Sequence, residues 1–166
     1  MLSPDVAGRG LGVEYLIAVG SNRGDRAQAI AAAAALLPAS VRLLRSAPLL
    51  ETAAVGGPRH SGWFLNGAWV VETSFGPHHL LWHLLAIEQR LGRSRGERDG
   101  PRRIDLDLIL AREHWQVDSA YLRLPHPRCH QRAFVLQPAA CIAGDWLHPI
   151  LGLSIATLWQ QLQETA

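Results

Sequence analysis

The sequence contains no lysine: all 16 basic side chains are arginine, set against 14 acidic ones in 166 residues. That absence excludes the P-loop lysine, Schiff-base chemistry and any lysine nucleophile, so a phosphate handled by this chain must meet arginine, backbone or metal. Cysteine is scarce too. Cys129 and Cys141 form no metal motif, and two thiols in a chain of this length fit a reducing, cytoplasmic setting rather than a disulfide framework. No apolar run approaches the ~18 residues of a membrane span, and the opening MLSPDVAGRG lacks the apolar stretch of a signal peptide. A formal charge of +2 is too small to argue for nucleic acid or an anionic membrane as partner.

What is present is a globular composition, 48% hydrophobic and 18% charged, at a length suited to one domain. Residues 1–14 are expected to form a short leader and residues 15–166 the domain. The apolar run at 15–19, closed by Gly20, reads as a buried strand. Asp25 can cap a helix that continues to Leu37 until Pro38 stops it. A second strand is expected at 41–46, an irregular loop at 52–58, and a third strand at 64–73. A helix should begin with Pro77 at its first position and run to about Leu91. Its apolar positions Leu80, Leu81, Leu84, Leu85, Ile87 and Leu91 leave His79, His83, Glu88 and Arg90 for other faces, with His78, His79 and His83 on an exposed one. Residues 104–110 are the clearest strand, 124–128 a proline-kinked turn, 130–140 a helix, and 149–163 a helical packing element. Helices interleaved with strands, without βαβ regularity or a G-x-G-x-x-G motif, argue for an α+β fold.

In the segment IDLDLIL at 104–110, strand alternation puts Asp105 and Asp107 on one face with Cα atoms ~7 Å apart, and Leu106, Leu108 and Leu110 on the other. Two adjacent carboxylates raise each other's pKa unless a cation lies between them. Hard oxygen donors with no histidine or cysteine beside them select Mg²⁺ over Zn²⁺ and leave coordination sites for phosphate and water. The competing reading pairs both acids with cross-strand arginines. Just upstream, Arg93, Arg95, Arg98, Arg102 and Arg103 fall within eleven residues that also hold Gly96, Gly100 and Pro101. Alone, such a stretch is a solvated surface; beside metal-binding acids it supplies the components of phosphoryl transfer. His126, between two prolines, forms a second anion-attracting group with Arg128 and Arg132, although a histidine there also suits a structural turn. Phe64, Asn66 and Phe134 are each readable as core or satisfied polar residues. Together they offer two rings to sandwich a flat heterocycle and an amide to read its edge.

The segments RDGPRRIDLDLI at 98–109, GSN at 20–22, FLN at 64–66, Ile87-Glu88 followed by Gly92-Arg93, PHPR at 125–128 and RAFVL at 132–136 occur in this chain in a set order. In that combination they resemble the 6-hydroxymethyl-7,8-dihydropterin pyrophosphokinase family of folate biosynthesis. The resemblance spans about residues 15–138 and implies a ferredoxin-like α+β fold in a single domain. It implies that Asp105 and Asp107 bind two Mg²⁺ ions bridging the phosphates of ATP, and that Arg93 and Arg102 stabilise the transferring group. It places Arg95, Arg98, His126 and Arg132 on the triphosphate and Glu88 near the nucleotide. Thr52, Val55, Gly56 and Asn66 would bond the pterin edge while Phe64 and Phe134 stack on its faces. The implied reaction is attack of the pterin hydroxymethyl oxygen on the β-phosphorus of ATP, releasing AMP, by a cytoplasmic monomer whose only partners are its small-molecule substrates. Two other readings compete: a silent relative kept as a binding module, and an RNA-binding sheet. The retained aspartates weigh against the first, and their charge on the sheet face weighs against the second.

Overall fold

The computed structural model of the chain describes residues 12–53, 62–92 and 102–166. Most of the expected leader, Val55 and Gly56 of the 52–58 loop, and Arg93, Arg95 and Arg98 lie outside the described residues. Strand β1 (Val13–Ser21) is longer than its apolar run because it pairs with β4 (Phe64–Thr73) along its whole length, from Val13↔Thr73 to Ser21↔Leu65. Helix α1 (Arg26–Ala35) starts where the Asp25 carboxylate accepts the Gln28 N–H at 3.0 Å, satisfying a donor that the first turn leaves open. Strand β2 (Val41–Ser46) and a short β3 (Leu50–Thr52) lie in succession along one edge of β4. Helix α2 (Pro77–Arg90) carries Pro77 in its first turn, and Gly92 follows it at φ 95°, a conformation suited to glycine. Strand β5 (Asp105–Ala111) pairs with the free edge of β1.

All these pairings are antiparallel and the path runs β2-β4-β1-β5. With α1 after β1 and α2 after β4, this is the ferredoxin-like β-α-β-β-α-β order, in which β2 and β3 share the work of one edge strand. One sheet face, carrying Tyr15, Ile17, Val19, Trp69, Val71, Leu106 and Leu108, packs on Ile30 and Ala33 of α1 and on Leu80, Leu84 and Ile87 of α2. The other face, carrying Leu16, Ala68, Val70, Ile109 and Leu110, packs on α3 (Ala133–Ala143) and α4 (Ile155–Thr165), with Trp146 buried and Trp159 partly buried among them. Both tryptophans thus belong to the helical layer over the sheet. Among the described residues no helix is long and apolar enough to cross a membrane.

Three expectations are corrected. Leu110 does not oppose the two aspartates: the register shifts between Leu16 and Ile17, so that Leu108 pairs with Ile17 and Leu110 with Leu16, leaving Ile109 as the extra residue of a bulge. Ile109 and Leu110 therefore both enter the core under α3 and α4. The third long helix begins at Ala133 rather than at His130, because Cys129–Gln131 form a 3-10 turn and Arg132 is extended at φ −117°, ψ 105°. Finally, Thr52, expected to open the loop, instead ends strand β3, and the sequence gives no sign of a two-stranded ribbon, β6 (Val117–Asp118) with β7 (Arg123–Leu124).

Candidate active site

The face covered by α3 and α4 is only partly closed. Ala18, Thr52, Phe64, Arg102, Asp105, Asp107, His126, Arg132 and Phe134 all keep intermediate exposure. Register gathers the first of these groups. Gly20 of β1 stands opposite Asn66 of β4 on one side and Asp105 of β5 on the other, and Ala18 stands opposite Asp107. Small residues on the central strand thus leave a trough, with an amide on one bank and two carboxylates on the other, about 10 Å apart at two strand spacings.

On the amide bank, Asn66 is buried and its Nδ2 donates to Thr52 Oγ1 at 2.6 Å. That bond turns Oδ1 toward β1, where a Cβ added at Gly20 would stand 2.8 Å from it. A side chain at position 20 would force the Asn66 amide, held by its bond to Thr52, to shift. If the trough binds a ligand at Asn66, Gly20→Ala should raise that ligand's KM about tenfold while changing kcat little; steady-state assays check this, and an unchanged KM would show that Asn66 does not read the ligand.

The acid bank is built by three elements. Arg102 is held at its backbone by Asn22, whose Oδ1 accepts the Arg102 N–H at 2.6 Å and whose own N–H donates to the Arg102 carbonyl at 3.0 Å. The Arg102 guanidinium in turn donates to Asp105 Oδ1 at 3.0 Å. Beneath them Glu88 of α2 is buried, and its Oε1 accepts the Leu106 N–H at 2.7 Å, fixing the backbone between the two aspartates. Burial pushes the Asp107 carboxyl up to about 7, with Asp105 and Glu88 adding to the effect while Arg132 and Arg102 oppose it. Asp105 and Asp107, two hard oxygen donors on one strand face, suit a divalent cation of the Mg²⁺ kind.

The PHPR turn and the start of α3 close one end. The His126 N–H donates to the Ile109 carbonyl at 2.8 Å, tying the turn to β5, and the Leu124–Pro125 peptide is cis. Burial, then the charges of Arg132 and Arg128, hold the His126 imidazole down to about 4, so it is neutral near pH 7. Its Nδ1 accepts the Arg128 N–H at 3.2 Å, which leaves Nε2 as a hydrogen-bond donor. The Arg132 guanidinium lies 5.6 Å from the centroid of the Phe134 ring.

The sequence alone assigns Asn22 no role and sets Glu88 on a face away from the apolar stripe. Asn22 acts across eighty positions of sequence, which no local pattern reveals. Glu88 carried a signal: it follows Leu80, Leu84 and Ile87 at helical spacing and belongs to their buried stripe. Asn22 also lines a cavity of about 440 Å³ with Gly24, Arg26, Glu51, Gly62 and Trp63, where Arg26 bonds both Glu51 and the Trp63 carbonyl.

The sequence model of the 7,8-dihydro-6-hydroxymethylpterin-pyrophosphokinase family matches residues 16–144. A 2-amino-4-hydroxy-6-hydroxymethyldihydropteridine pyrophosphokinase of Synechocystis sp. is 39% identical over 154 residues, covering 91% of this chain and 77% of that protein. The protein of the same description from Methylorubrum extorquens is 43% identical over 131 residues, covering 78% and 82% respectively. Among solved structures, a chain described as HPPK-DHPS in complex with substrates superposes with a TM-score of 0.71 at 13% identity, a likeness of fold. That match covers 93% of this chain and 44% of the solved one, so this chain spans less than half the length of that longer protein. The family model accounts for most of the chain, and relatives near 40% identity cover more than three quarters of it; the chain belongs to the 7,8-dihydro-6-hydroxymethylpterin-pyrophosphokinase family.

Proposed function

We propose that this chain transfers the pyrophosphoryl group of ATP to the hydroxyl of 6-hydroxymethyl-7,8-dihydropterin, in folate biosynthesis, within the trough between Asn66 and the two aspartates. The observation that carries this reading is the register across three strands, Asn66 to Gly20 to Asp105, which sets an edge-reading amide one strand removed from the charged groups. A flat ring bonded at Asn66 and Thr52, and by Val55 and Gly56 as the family resemblance implies, would lie over glycine with Phe64 and Phe134 available for stacking. Its hydroxymethyl arm then points along the trough toward Asp105 and Asp107.

The residues at that end divide the remaining work. Arg132, together with Arg95, Arg98 and the Nε2–H of His126, holds the triphosphate; a neutral histidine serves here as a donor, not as a base. Arg102, and Arg93 as the family resemblance implies, would neutralise the charge that grows between attacking and leaving oxygens. Glu88 acts through the backbone, keeping both aspartates aimed into the trough. Asp105 and Asp107 would hold Mg²⁺, two ions as the family resemblance implies, which would supply charge neutralisation and alignment of the phosphates. In the transfer the pterin oxygen bonds to the β-phosphorus, the bond from that phosphorus to the oxygen of the α-phosphate breaks, and AMP departs with that oxygen. On this face the acceptors for the released hydroxyl proton are carboxylates. All these groups come from one chain, which supports a monomeric enzyme, and the two free thiols, Cys129 and Cys141, fit a cytoplasmic one.

The test is direct. The chain, Mg²⁺, ATP and 6-hydroxymethyl-7,8-dihydropterin are mixed and AMP is followed. AMP is expected in proportion to pterin, and none above a control without pterin would overturn the reading.

A further inference from the structure

Helix α2 carries a different chemistry at its other end. His79 and His83 stand one helical turn apart and their Nε2 atoms are 3.3 Å from each other. Both rings lean on Phe75, His79 with centroids 3.9 Å apart and His83 stacked at 5.0 Å with 11° between planes. Phe75 is itself fixed, since its carbonyl accepts the Tyr15 hydroxyl at 2.9 Å and its N–H donates to Thr73 Oγ1 at 3.2 Å. Two imidazoles are thus held with matching nitrogens together on an exposed part of the helix.

A tetrahedral ion with Zn–N bonds of ~2.0–2.1 Å keeps its nitrogen ligands about 3.3–3.4 Å apart. The pair already has that spacing. A single N–H···N bond also fits that distance, but an exposed bond of that kind gains little over water. A second cluster, Cys129, His130 and His148, offers ligand atoms within 4.8 Å of one another. There, however, His148 Nδ1 accepts the N–H groups of Ile150 and Leu151, which puts the ring proton on Nε2 and takes that ring out of use as a neutral ligand.

We propose that His79 and His83 form a surface chelate for a borderline divalent transition-metal ion of the Zn²⁺, Ni²⁺ or Cu²⁺ class, with water completing its shell. The site is separate from the aspartate pair in place and in kind: imidazole nitrogen selects these ions, whereas carboxylate oxygen selects Mg²⁺. It clamps the first turns of α2, whose N-cap, Gly76, offers no side-chain bond. Binding there stabilises the folded chain by mass action.

The chain is titrated with CuCl₂, NiCl₂ and ZnCl₂ in buffer free of Mg²⁺, by calorimetry and by tryptophan fluorescence. The Trp82 ring lies 6.2 Å from that of His83, so bound Cu²⁺ is expected to quench it. One ion per chain is expected, with Cu²⁺ the tightest of the three. His79→Asn and His83→Gln should each weaken binding at least about tenfold, the minimum for loss of half a chelate, and the double variant should remove both the quench and the metal-induced rise in thermal midpoint. His78→Gln should leave binding intact, because His78 Nε2 is engaged with Ser119 Oγ at 3.0 Å. Retained AMP production by the double variant in Mg²⁺ shows that its fold is preserved. Should that variant fail to fold, His79→Asn, at an exposed position, decides the matter alone. Equal affinity in wild type and variant, or no binding of any of the three ions up to millimolar concentration, would overturn the proposal.

Discussion

Asp107→Asn is expected to lower AMP release by about three orders of magnitude, leave pterin binding largely intact, and make the metal-free protein more stable at pH 8. The first effect follows from losing a ligand that contributes several kcal/mol of charge stabilisation in the transition state, each 1.4 kcal/mol of it worth tenfold in rate. The second follows from the sheet, since the acid bank is about two strand spacings from Asn66. The third follows from the sign of the titration. Asp107 has a folded pKa raised from 3.8 to about 7, so the native state binds more protons than the unfolded chain between those values. Its stability is therefore fully present below about pH 4 and falls as pH rises through 7. The displacement corresponds to about 4 kcal/mol at most. Because Asp107 keeps part of its surface in water, about 1–3 kcal/mol is the better expectation, or roughly 3–10 °C in thermal midpoint for a chain of this size. Wild type and variant should converge near pH 4, and added Mg²⁺ should stabilise only the wild type. Thermal melts across pH and a pterin titration of the variant check all three; equal loss of pterin binding and turnover would sink the metal role.

Arg102→Ala should reduce kcat by about 10²–10³ with the pterin KM within about threefold, as for a contact made in the transition state and absent from the ground state. The position allows a clean experiment. Both backbone bonds to Asn22 survive the substitution, so the end of the loop stays anchored while only the guanidinium is removed. Arg102→Lys should recover little, because an ammonium cannot meet phosphate and carboxylate oxygens with a planar fork. Steady-state kinetics measure the split, and an effect confined to KM would contradict the assignment.

Much of this was legible beforehand where chemistry is local. Asp25 and Pro38 bracket α1, Pro77 and Gly92 bracket α2, and the alternation around Asp105 and Asp107 shows a charged strand face directly. The rest was hidden for identifiable reasons. Ile109 and Leu110 are both apolar, so nothing in the hydrophobic pattern shows that both turn to the same side. Three residues, Leu50–Thr52, are too few to display a period, and only pairing with Asn66, Leu65 and Phe64 makes them a strand. No glycine or proline stands between Cys129 and Ala133, so the extended break at Arg132 left no mark, although it begins the helix that presents Phe134. The side-chain bonds of Asn22 and Glu88 join segments far apart in the chain, and only the folded sheet brings them together.

The bulge at Ile109 limits how the gene can vary in length. Phase is preserved on either side of that residue, so losing Ile109 alone would leave Leu108 and Leu110 on their present faces and sacrifice one core side chain. Losing a residue between Asp105 and Asp107 has no such remedy. Whether or not the bulge dissolved to compensate, one carboxylate would be driven to the face packed beneath α1 and α2, among Ile17, Leu84 and Ile87. Single-codon deletions in this strand should therefore be tolerated anywhere from Leu108 to Leu110, where the bulge absorbs the loss, and eliminated between Asp105 and Asp107, a pattern that a deletion scan under selection for folate would expose.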